Sequence, residues 1–110
     1  MVPSPPERSG SIVGNELPYS ITNGGAFDVY DINPPLPEIF SIRVVVNGIN
    51  GKVALFPDDN QKAIWENEGT ELKLTYDVSS PDIFSLISNS AFTINTLEVY
   101  IDEEKMTLIQ

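Results

Sequence analysis

The chain has no cysteine and no histidine. Without cysteine there is neither a disulfide framework nor a thiolate metal site. Without histidine the commonest general base and the commonest transition-metal ligand are missing too. Positive charge is scarce: 16 acidic residues stand against 6 basic ones, for a formal net charge of -10. Such a surface repels phosphate backbones and anionic lipid, so neither nucleic acid nor a membrane is an expected partner. It suits neutral or basic protein surfaces, cations or uncharged polymers. Its plainest effect is solubility. No apolar run reaches the length of a membrane span, and Met1 to Arg8 lacks the apolar core of a signal peptide. An intracellular product, or a mature or excised domain, is the expectation. No Asn-x-Ser/Thr sequon occurs.

What is present is enough for one packed core. The chain has 110 residues, 41% of them hydrophobic and 20% charged, which fits a single domain rather than a disordered chain. Of its 9 prolines, seven (Pro3, Pro5, Pro6, Pro18, Pro34, Pro35 and Pro37) fall by position 37. Proline removes a ladder donor, and the glycines at 10, 14, 24 and 25 weaken strands further. Residues 1–36 are therefore predicted to be an extended Pro/Gly-rich arm. A short hairpin is expected within it, with strands at 19–22 and 26–32 joined by Asn23-Gly24-Gly25. Residues 37–110 are expected to form the β-sandwich domain.

From Glu38 onward the pattern has period two. Phe40, Ile42, Val44 and Val46 share one face, and Val45 makes the opposite face half apolar, as suits a central strand. Asn47-Gly48-Ile49-Asn50-Gly51 then predicts a turn, because Asn and Gly tolerate positive φ, and 52–56 predicts the returning strand. Leu72, Leu74, Tyr76 and Val78 alternate with Glu71, Lys73, Thr75 and Asp77 without error. That stretch predicts a strand with one face on a core and one in water. Ser80-Pro81 resembles a helix cap followed by a first-turn proline, and Ile83, Phe84, Leu86 and Ile87 have helical spacing. A short helix is predicted near 81–88. The apolar phase shifts at Asn95-Thr96, which predicts a bulge or a break between two strands. The predicted fold is all-β and mostly antiparallel, a small sandwich or partly open barrel with that one helix.

Three groups of residues are candidate sites. Asp58, Asp59 and Asn60 offer two or three oxygens for a cation, although turns collect such residues for their own backbone hydrogen bonds. Trp65 and Tyr100 are candidate anchors for a protein contact or for stacking on a sugar ring, whereas most other aromatics read as core. Tyr100 shares parity with Glu98 and Asp102, so it is expected to face away from the main core. The arm, represented by Pro3, Pro5 and Pro6, is the third: an extended segment gains order by lying in a groove or pairing with a neighbour's sheet edge. No nucleophile–base arrangement appears, and carboxylate pairs occur in any acidic chain, so neither catalysis nor a cofactor is expected. The function expected is structural. The chain would bind a larger protein lattice, or further copies of itself, through its arm and one sheet face, as a virion decoration or tail accessory protein does. The alternative is a secreted Ig-like carbohydrate-binding or adhesion module.

Overall fold

The computed structural model describes residues 7–51, 54–55 and 72–110. Among them the chain forms strands and no helix. In order these are β1 (Ser9–Ser11), β2 (Tyr19–Ile21), β3 (Ala26–Asn33), β4 (Ser41–Val46), β5 (Ile49–Asn50) and β6 (Ala54–Leu55), followed by β7 (Leu72–Tyr76), β8 (Phe84–Ser88), β9 (Phe92–Ile94), β10 (Leu97–Ile101), β11 (Glu104–Lys105) and β12 (Thr107–Ile109).

They make two five-stranded sheets and a two-stranded one. The first sheet runs β12-β1-β3-β8-β7, and the second runs β11-β10-β4-β5 with β6 also on β4. Among the described residues β2 pairs only with β9. Among the described residues, too, every pairing is antiparallel except β1 with β12. One hydrophobic cluster draws on all three sheets: Phe27, Val29, Leu74, Phe84 and Leu86 from the first, Ile42, Val44, Val99 and Ile101 from the second, Ile21 and Ile94 from the third. A shared interior of this kind requires the inner faces of the sheets to look at one another.

The period-two pattern is obeyed from Leu72 to Tyr76, whereas Val78, expected on the same inner face, lies beyond the strand and is exposed, and Glu71 lies outside the described residues. In β7 the burial alternates, with Leu72, Leu74 and Tyr76 inside and Lys73 and Thr75 half-buried. β4 sits between β10 and the β5–β6 edge, which accounts for its apolar second face. Its turn into β5 is the expected one. Val46 pairs with Ile49, leaving Asn47 and Gly48 as a two-residue loop with φ of 51° and 81°. Two successive positive φ values define the hairpin turn whose twist matches that of the strands. The phase shift at Asn95-Thr96 is a break: β9 ends at Ile94 and β10 begins at Leu97 in a different sheet.

Three expectations are corrected. The helix near 81–88 does not form. Phe84–Ser88 is a strand held on both edges, by β3 and by β7, with Phe84, Leu86 and Ser88 inside. A helix would direct the Pro81 and Asp82 carbonyls to amides four residues on. Here they accept instead from Leu36 N–H at 2.8 Å and Ile32 N–H at 3.0 Å. Nor is there a hairpin between 19–22 and 26–32. The turn exists, with Gly25 N–H donating to Thr22 C=O and Gly24 at φ 78°, but it carries the chain from one sheet to another. The described part of the proline-rich stretch is no detached arm. β3 lies at the centre of the first sheet, and Ile12, Ile21, Phe27, Val29 and Ile32 belong to the common core. Its prolines fall between strands, where no ladder bond is lost.

Candidate functional site

Tyr100 is the one candidate anchor that lies among the described residues; Pro3, Pro5, Pro6, Asp58, Asp59, Asn60 and Trp65 lie outside them. On β10, Leu97, Val99 and Ile101 point into the core, so Glu98 and Tyr100 are left on the outer face of the second sheet. That is the expected orientation. Directly across the ladder from Tyr100 stands Arg43 of β4.

Arg43 is held by three partners at once. Its guanidinium lies 4.0 Å from the centroid of the Tyr100 ring. Nη2 is 3.1 Å from Glu103 Oε2 and Nε donates to the same oxygen at 3.2 Å. Nη1 donates to Asn50 Oδ1 at 2.9 Å. The turn that delivers Glu103 is itself fixed, because Asp102 Oδ1 accepts from Ser41 N–H at 2.9 Å and Asp102 N–H donates to Ser41 C=O. Beside this cluster Lys105 Nζ meets Glu98 Oε2 at 3.0 Å. The hydrogen bond and charge of Glu98 hold the Lys105 ammonium above its ordinary range. Each of these surface ion pairs contributes little stability alone. Their joint effect is to fix an arginine and a tyrosine in one geometry, which lowers the entropy lost when a partner covers them.

A second feature lies at the side of the molecule, where the chain leaves β11 in one sheet and enters β12 in the other. A groove of about 410 Å³ opens there. Its floor is apolar, made of Leu17, Leu97, Met106 and Leu108. Leu97 and Met106 belong to the buried core, and Leu17 and Leu108 are partly buried against it. Glu7, Lys105, Thr107 and Gln110 form the rim.

No three metal-binding side chains converge among the described residues. Two carboxylates serve a turn and a ladder: Asp77 Oδ1 accepts from the backbone and hydroxyl of Ser79, and Asp28 Oδ1 accepts from the Ser85 hydroxyl. Sequence parity found the outward face of Tyr100 but missed Arg43 as its partner. Only the β4–β10 register brings residues 43 and 100 together, and no short-range pattern encodes a register across that separation. The groove was missed for the same reason. Leu17, Leu97 and Leu108 are separated in sequence and meet only where two sheet edges part. No family model, no curated protein and no solved structure matches the chain.

Proposed function

We propose that this chain is a non-enzymatic structural protein that attaches to a larger protein assembly, in the manner of a virion decoration or tail accessory protein, and acts in the virion or in the cytoplasm of its host. The observation that carries this reading is the fixed Arg43–Tyr100 pair on the outer face of the second sheet. Arginine and tyrosine are over-represented among residues that dominate binding energy at protein interfaces, and a pair immobilised beforehand loses less on association. The acidic surface supports a protein partner over nucleic acid. The absence of histidine and cysteine from the sequence supports a binding role over a catalytic one. A carbohydrate platform is less well supported, because Arg43 already covers a face of the Tyr100 ring.

The test is photocrosslinking in the organism or particle that makes the protein. A benzophenone amino acid replaces Tyr100 in one variant and the outward-facing Ile87 of β8 in another. Covalent capture of one protein species from position 100, and not from position 87, is expected. Equal capture from both positions, or none from position 100, contradicts the proposal.

A further inference from the structure

The groove beside β12 is a separate surface with its own chemistry. Among the described strands β12 is the end strand of the first sheet. Thr107 N–H donates to Arg8 C=O at 3.0 Å, and Ile109 C=O accepts from Ile12 N–H at 2.8 Å, so residues 107 and 109 direct their peptide groups at β1. Successive residues of a strand direct these groups to opposite sides, so the N–H and C=O of Leu108 face the open edge. The same Leu108 lines the groove, with core residues Leu97 and Met106 beneath. An exposed sheet edge beside an apolar cavity meets the two needs of an incoming strand: hydrogen-bond partners for its backbone and a place for every second side chain.

The charge around the groove indicates which strand. Glu7 stands on its rim, Glu98 lies beside it through its contact with Lys105, and Glu104 precedes Lys105 in β11. The rim's own cation, Lys105, is already paired with Glu98. The whole chain carries -10. A second copy would bring like charge to this edge, which is unfavourable. We infer that the β12 edge and its groove take an extended segment of a basic partner protein as an added strand, with alternate apolar side chains in the groove and lysine or arginine between them facing Glu7 and the carboxylates beside Lys105.

The experiment uses the full chain labelled with nitrogen-15 and synthetic peptides of about ten residues, enough to exceed a typical strand. One peptide alternates lysine with valine and leucine, one has the same composition with the lysines grouped together, and one replaces each lysine by glutamate. The alternating basic peptide is expected to shift the amide signals of Leu17, Lys105 and Leu108 and to slow hydrogen exchange at Leu108. The glutamate peptide should bind at least about tenfold more weakly. Leu17→Glu should abolish the shifts while leaving the rest of the spectrum in place, and Leu108→Ser serves if that variant does not fold. The inference is overturned if the grouped or acidic peptide binds as well as the alternating basic one. It is also overturned if the shifts map to Arg43 and Tyr100 instead, or if the free chain self-associates with Leu108 already protected. The outcome at position 100 is independent of all of these.

Discussion

Single residues carry tight constraints in this fold. Gly10 of β1 is buried where the first sheet packs on its own side chains. A Cβ there would meet Val29 Cγ1 at 2.8 Å and Met106 Sδ at 3.0 Å. Gly10→Ala is therefore expected to destabilise by about 1–3 kcal/mol, the usual effect of overpacking, as read from chemical denaturation. Asn47 has two tasks. Its backbone sits at φ 51°, and its side-chain Oδ1 accepts from the amides of Asn95 and Thr96 at 2.7 and 3.1 Å while Nδ2 donates to Thr93 C=O. It thus ties the β4–β5 turn to the break between β9 and β10. Asn47→Gly loses the hydrogen bonds but keeps the backbone conformation. Asn47→Ala loses both and is expected to be less stable than the glycine variant by about 1 kcal/mol, the typical left-handed penalty. Equal stabilities would show that the turn is not strained. Asp77 offers a pH marker. Hydrogen bonds from the Ser79 hydroxyl and amide hold its carboxyl below the ordinary aspartate range. A group lowered in this way contributes stability above its unfolded pKa, and that contribution fades as pH falls through the folded pKa. Ser79→Ala should raise the Asp77 pKa in an NMR titration, although the Ser79 amide hydrogen bond remains.

At the scale of elements, β8 is the informative case. Ile83, Phe84, Leu86 and Ile87 have helical spacing after a Ser-Pro start, yet Phe84–Ser88 lies extended between two strands. The two placements assign Ile87 differently. A helical face containing residues 83, 84 and 87 would bury it, whereas in the sheet it faces outward at 37% exposure and Leu86 is fully buried. Leu86→Ala is expected to lower stability by about 2–5 kcal/mol, and Ile87→Ala to change it by no more than about 0.5 kcal/mol. Comparable losses would return the segment to a helix. The contrast also shows what a sequence can carry. β4, β7 and the Asn47-Gly48 hairpin were legible because their signals are local: period-two burial and two adjacent residues that accept positive φ. The β8 strand was not, since its local propensity is overridden by partners at residues 26–29 and 72–76. The described part of the proline-rich stretch joins the core because proline density marks where ladders are interrupted, not whether the strands between prolines pack inside. The outward Tyr100 was legible from parity, and its contact with Arg43 was not.

At the scale of the whole molecule the dominant fact is charge. With a net charge of -10 on a small domain, self-repulsion opposes the compact state. The ion pairs seen on the second sheet are exposed and gain little to offset it. Screening should therefore win. The thermal midpoint is expected to rise as sodium chloride is raised from low to physiological strength, where the screening length falls to about 8 Å. A falling midpoint would mean that the surface pairs outweigh the repulsion. The same screening should slow encounter with a basic partner while leaving the short-range contacts of Arg43 and Tyr100 little changed.

The most direct measurement is the affinity of the Tyr100→Ala chain for the protein captured from position 100, compared with the unaltered chain under identical salt. Loss of about 2 kcal/mol or more in binding, expressed in faster dissociation, is expected of an immobilised aromatic anchor. Unchanged affinity, in a variant that keeps its β-sheet spectrum, would contradict the placement of the binding face on the second sheet.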